Sequence, residues 1–315
     1  MRLQELLERY PHPANSGVPD WMLGYFRRRA ISFANGQTDT TTTVCWIQSR
    51  TFTIDLRLPI AQVQPPPRDW ADYTRAELEV LADYEGWAAD SEWTSETLSW
   101  HGESSLQLHN RWPEPALLQR VGNCMIEFAP SGAYVEDWRL QPSPPGPLIG
   151  LRLIEERDLD TDVRRHRGGG LIICGDHAAL VLGRADDVIP RSASGLLRDE
   201  VAEAAGDAER LAHLFNFETS VASGSMTADY RVEHSTCPAR VGQLLCPLDG
   251  FEYLPDSHQI VQQLTIEGSR CERRFAVDTI EAVISFKQAA DFSEDAAAWY
   301  DHESPTLTRY TEPHY

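Results

Sequence analysis

The stretch TVCWIQSRTFTIDLRLP, residues 43–59, decides the fold class. From Thr51 to Leu58 it alternates. Phe52, Ile54, Leu56 and Leu58 fall on one face, and Thr51, Thr53, Asp55 and Arg57 on the other. The threonine-rich, β-branched run from Thr40 to Ile47 predicts the strand before it. A second stretch, GLIICGDHAALVLGRA at residues 170–185, repeats the plan as a pair of strands ending at Arg184, as the first pair ends at Arg57. Each is followed by a loop, a helix-like segment and further alternating strands. Two similar halves predict two β-rich domains.

Working outward, Trp21–Phe33 reads as a strand ending in an Asn35-Gly36 hairpin turn. Gln64-Pro65-Pro66-Pro67 breaks the sheet, and Thr74–Tyr84 reads as a helix with Thr74 as N-cap and Glu77 completing a capping box. Short strands are expected at 93–101, 104–109, 123–128, 133–140 and 148–154, a spacing that suggests an antiparallel barrel or sandwich. The charged run EERDLDTDVRRHRGGG, residues 155–170, marks the boundary between domains at 1–157 and 158–315, unless it is a hairpin inside one larger sheet. Beyond it, a helix is expected from Ser194 to about Leu214, and strands at 217–222, 226–234, 259–267, 270–277 and 280–287.

Antiparallel strands with one helix inserted after the second or third resemble the lipocalin-like (calycin-like) barrels. Their duplication resembles tandem lipocalin-like proteins. The segment TTTTVCWIQSRTFTIDLRLP, residues 40–59, is similar to part of bacterial two-barrel proteins. The resemblance implies a mainly β protein of two antiparallel barrels, each with an inserted helix. These families include carotenoid hydratases and cyclases of the Diels–Alder type, so it also implies a small-molecule pocket.

A chain of 315 residues is long enough for two cores. Its net charge of −20 argues against nucleic acid or an anionic membrane as partner. No apolar run approaches the roughly 20 residues that span a bilayer. The N-terminus MRLQELLERYPHP carries acidic residues where a secretory signal has an apolar core, so a cytoplasmic location is expected. The cysteines at 45, 124, 174, 237, 246 and 271 form no Cys-x-x-Cys pair, and Cys45, Cys124 and Cys174 read as buried thiols in strands. No metal site is expected. Nucleophile-elbow, dinucleotide, Walker and zincin motifs are all absent, and Gly168-Gly169-Gly170 precedes a strand rather than a helix, so no nucleotide cofactor is expected.

The candidate site residues come from strand faces. Asp55 and Arg57 share a face. They point to solvent if the strand is ordinarily half-buried, or into a barrel if it is clamped between the barrel and the other domain. Trp46 and Gln48 share a face and suit a small organic ligand. His101 ends a strand whose face also carries Trp93, Ser95, Thr97 and Ser99. Glu136 and Trp138 share a face, with Asp137 and Arg139 opposite. In the second half, Tyr230, His234 and Glu218 form a further acid–base candidate. Eight of the nine tryptophans lie at or before Trp138, which favours the first domain as the one holding a pocket.

The expectation is therefore a cofactor-independent enzyme of lyase or isomerase type acting on a hydrophobic small molecule. Asp55, Arg57, His101 and Glu136 are its catalytic candidates, and Trp46, Gln48, Trp93, Trp100 and Trp138 its ligand contacts. The alternatives are a non-enzymatic binder of a lipophilic ligand (fatty acid, pigment or haem) and an interaction module. A homodimer is left open.

Overall fold

The alternating segments fold as antiparallel strands in a computed structural model that covers residues 1–315. The first nine strands are β1 (Gly24–Phe33), β2 (Thr38–Asp39), β3 (Thr43–Gln48), β4 (Phe52–Leu58), β5 (Glu85–Thr94), β6 (Thr97–Ser105), β7 (Ala116–Val121), β8 (Cys124–Phe128) and β9 (Tyr134–Leu140). They pair in sequence order, and β1 also pairs with β9, so eight of them close into a barrel with β2 appended to β1. This closed antiparallel barrel is compatible with a lipocalin-like fold. The predicted helix forms as α2 (Arg75–Ala82), after α1 (Leu3–Arg9), and both halves of its Thr74–Glu77 capping box are made.

The second sheet contains β10 (Gly146–Asp158), β11 (Arg164–Cys174), β12 (His177–Arg184), β13 (Glu218–Ser225), β14 (Asp229–Ser235), β15 (Phe251–Leu254), β16 (Gln259–Ile266) and β17 (Ser269–Ile284). Its order runs β14-β13-β12-β11-β10-β17-β16-β15, and no ladder joins β14 to β15. Of the two antiparallel barrels expected, one is present as a closed barrel, and the second sheet, of eight strands, is not closed. The connection between β14 and β15 holds Pro238 and Pro247, which cannot donate to a ladder. It buries Leu245, Cys246 and Leu248 in the core of this sheet instead. Leu3, Leu6 and Leu7 of α1 join that core, so the N-terminus belongs to the second sheet.

The charged run at 155–170 is not the join between the sheets. Its strands β10 and β11 pair as a hairpin, and the chain changes sheet at Gln141–Pro145, where three prolines interrupt it. The helix expected from Ser194 to Leu214 is two: α3 (Leu197–Glu203) and α4 (Ala208–Leu214). Gly206 at φ +89° breaks it, and Asp207 caps the second piece by accepting from the Arg210 N–H. The strands expected at 270–277 and 280–287 are one long β17. A last helix, α5 (Glu294–Leu307), lies near the C-terminus.

The sheets pack face to face. Ile54 and Leu56 of β4 belong to one apolar core with Ala179, Val181 and Val221 of the second sheet. Every residue of β4 is therefore buried, one face against the second sheet and the other inside the barrel. Gly86 permits the close approach, since a Cβ there would meet Thr219 Oγ1 at 2.5 Å. The β3–β4 hairpin tip is clamped by polar bonds. Arg50 makes a bidentate pair with Glu281 at 2.8 and 2.9 Å, Ser49 and Thr51 donate to Asp278, and Arg152 reaches Asp278 at 3.0 Å. The sequence repeat thus packs one copy against the other.

Candidate active site

The inward face of the barrel carries the candidate chemistry. Across β3, β4 and β5, Trp46, Asp55 and Trp87 lie side by side, because Asp55 is register partner to both tryptophans. Two residues along β4, Arg57 donates through Nε to Asp55 Oδ1 at 2.9 Å. Glu127 on β8 and Glu136 on β9 face one another in register. Trp138, two residues beyond Glu136, donates its indole N–H to Glu127 at 3.0 Å, and the Tyr134 hydroxyl donates to the other Glu127 oxygen at 3.3 Å. Arg28, beside a bulge in β1, bridges Glu136 and Asp39, both at 2.7 Å. The indoles of Trp46, Trp87, Trp100 and Trp138 meet edge to face, with centroids 5.3–6.2 Å apart.

Burial sets the proton affinities here. Loss of water raises the Asp55 carboxyl, Arg57 pulls it down, and the outcome is about 6. Glu127 is pushed well above the carboxylate range, first by burial and then by the negative Glu136 opposite. Two carboxyls in register cannot both ionise cheaply, so of the pair Glu127 is the one held toward its protonated form. Asp55 is paired with Arg57, and Arg28 is shared between Glu136 and Asp39.

Trp112 closes this interior. It sits on the loop between β6 and β7, which pair only at Thr97–Leu117 and Leu98–Ala116. Arg57 lies 4.1 Å from the centre of the Trp112 ring. Glu85 fastens the loop, accepting from the Trp112 indole at 2.8 Å and from Arg111 at 2.9 Å. With the cover down, the central space is about 10 Å³, room for a single water. Trp112 also lines two outer recesses of about 370 Å³ each, so its removal would join them to the interior. A larger, open groove of about 600 Å³ between the sheets is lined by polar groups. Its cations are engaged, Arg184 by backbone carbonyls and Arg167 by Asp187.

The structure gathers Asp55, Arg57, Glu136, Trp46, Trp100 and Trp138 in or beside one interior. Gln48 is at one end of it, fully buried, with its amide bonded to Trp46, Ser91 and the Ser49 and Phe52 carbonyls. Trp93 packs edge to face on Trp21, away from the acids. His101 points outward, 61% exposed and 3.3 Å from Glu92. The expected strand 93–101 hides the reason. Ser95, at φ +54°, begins a turn, so Trp93 and His101 lie on different strands and Trp100 takes the inward position. Tyr230 donates to the Gly175 carbonyl and Glu218 pairs with Arg240, so neither completes a set with His234. Sequence reading missed Glu127, Trp87 and Trp112. Glu127 was legible from the alternation of β8, where Met125 and Glu127 are the buried positions. Trp112, in a loop, left no periodic signal.

All six cysteines are free. No three His, Cys, Asp or Glu side chains cluster as metal ligands, and no helix is long and apolar enough to cross a membrane. Comparison with protein-family models, curated proteins and solved structures found no match to this chain.

Proposed function

We propose that the first barrel is the site of a cofactor-independent enzyme that moves protons on a small, largely apolar organic molecule, an isomerase or lyase working in the cytoplasm. One observation carries this reading: two carboxyls with unequal proton affinity, Asp55 near 6 and Glu127 well above the usual range, share one tryptophan-walled interior. Asp55 is mostly ionised at neutral pH and serves as base, while Glu127 holds a proton and serves as acid. Arg57 orients Asp55, and Trp112 covers the interior until a substrate displaces it. In this reading the second sheet is a scaffold that clamps β4 and so turns Asp55 and Arg57 inward.

The test is solvent deuterium incorporation. A library of small apolar compounds is incubated in D₂O with the parent protein, with Asp55→Asn and with Glu127→Gln, and analysed by mass spectrometry. Label that enters a compound with the parent and not with either variant supports the proposal. Equal labelling with all three proteins, or none with any, overturns it. The apolar bulk of Trp46, Trp100 and Trp138 also suits a non-enzymatic carrier of a lipophilic ligand. Native mass spectrometry showing a tightly held, chemically unchanged molecule would favour that second reading.

A further inference from the structure

Resting on the proton-transfer reading above, we infer that the substrate bears a neutral carbonyl group whose oxygen is held by the side-chain N–H groups of Arg57, Trp87 and Trp100. Arg57 Nη1, Trp87 Nε1 and Trp100 Nε1 are buried, and no group of the protein accepts a hydrogen bond from them. All three residues line the same interior space. Arg57 is 9% exposed and Trp87 8%, so neither relies on bulk water. Indole and guanidinium nitrogens donate and do not accept. Unpaired buried donors are rare in folded proteins, and three around one space call for an acceptor.

The charge balance selects a neutral acceptor. Arg57 is already paired with Asp55, and Arg28 with both Glu136 and Asp39. A carboxylate entering here would lie among anions with no free cation to meet it. A carbonyl oxygen accepts from all three donors and brings no charge. The flat indoles of Trp46 and Trp138 supply apolar walls for the rest of the molecule.

The chemistry balances without an added reagent. Asp55 takes a proton from the carbon next to the carbonyl, the C–H electron pair forms a C=C bond, and the carbonyl π pair moves onto oxygen. The three N–H donors hold that developing charge. As the electron pair falls back from oxygen, Glu127 gives its proton to carbon, at the same position or, where the substrate is unsaturated, at the far end of a shifted double bond; the proton on Asp55 leaves to solvent and Glu127 regains one from it. The substrate enters by displacing Trp112.

The test uses full-length protein labelled with ¹⁵N in its indoles, with acetophenone and benzoate as probes in D₂O-containing buffer. Saturating acetophenone should move the indole N–H signals of Trp87 and Trp100 downfield. Trp87→Phe and Trp100→Phe, each confirmed as folded by near-ultraviolet circular dichroism, assign those signals by deleting one apiece. Benzoate should leave them in place, and Trp112→Ala should lower the acetophenone Kd. Absence of a shift in both the parent and Trp112→Ala, as expected if a single internal water satisfies the donors, overturns the inference. A shift with benzoate alone overturns its charge class. Deuterium in the acetophenone methyl group is read from the same tube. A shift without label leaves the three donors standing as a binding site for a neutral carbonyl and removes the proton-transfer reading. Label without a shift does the reverse.

Discussion

The guanidinium of Arg57 lies over the ring of Trp112, 4.1 Å from its centre, and this contact joins the acid–base interior to the loop that covers it. The same guanidinium holds Asp55 at 2.9 Å. One side chain thus touches both the acid–base interior and its cover.

Trp112→Ala should uncover the barrel. The loss of the cation–π contact and the Glu85 bond is expected to cost about 1–3 kcal/mol. Its more specific signature is access: acrylamide should quench the fluorescence of the remaining interior tryptophans more strongly than in the parent. Unchanged quenching would show that another element covers the site.

Arg57→Met should be costly, because it leaves Asp55 buried beside Glu127 and Glu136 without its cation. A loss of about 3–5 kcal/mol in urea unfolding is expected. Adding Asp55→Asn to the same chain should recover part of it, since the pair is then removed together. Strict additivity of the two changes would refute the coupling.

The pH dependence follows from the raised acids. Asp55 titrates near 6 in the folded chain against 3.8 ordinarily, and burial beside Glu136 raises Glu127 well above its own ordinary value. The folded state therefore binds more protons than the unfolded state across that window. Stability from these groups is fullest below about pH 4 and declines as pH rises through the folded values. Glu127→Gln removes part of that decline. The stability of this variant relative to the parent should rise between pH 5 and pH 8 in urea melts. A pH-independent difference would mean that Glu127 titrates normally.

Gly86→Ala tests how the sheets meet. The new methyl would lie 2.5 Å from Thr219 Oγ1 and 2.7 Å from its Cβ, so β5 and β13 must separate. A loss of about 1–3 kcal/mol is expected from overpacking. An unchanged thermal midpoint would place the sheets farther apart than the structure does.

Much of the strand pattern was legible because alternation is local. Glu136 with Trp138, and Asp137 with Arg139, fall on opposite faces as the parity of β9 requires; Glu136 and Trp138 are buried, and the second pair is half-exposed at the surface. Turns hidden inside polar runs were harder to read. Ser95 reverses the chain within WTSET, a stretch with no Gly or Pro to mark it, and that one turn moved His101 out and Trp100 in. The hairpin at 155–170 looked like a boundary because its charges are dense. Several of them are in fact paired across adjacent strands, as Glu156 is with Arg273 at 2.7 Å.

Local chemistry in the chain accounts for the β class, the capped helix at Thr74 and the tryptophan bias toward the first half. Packing decided which face of β4 is the inside of the barrel. An isolated strand would bury Phe52, Ile54 and Leu56 and expose Asp55 and Arg57. Here the second sheet covers the apolar face and barrel closure encloses the polar one. Packing likewise left the second sheet open and brought Glu127, from a separate strand, opposite Glu136. Periodicity along a strand records which residues share a face. What covers that face depends on contacts between segments far apart in the chain, and no local pattern encodes them.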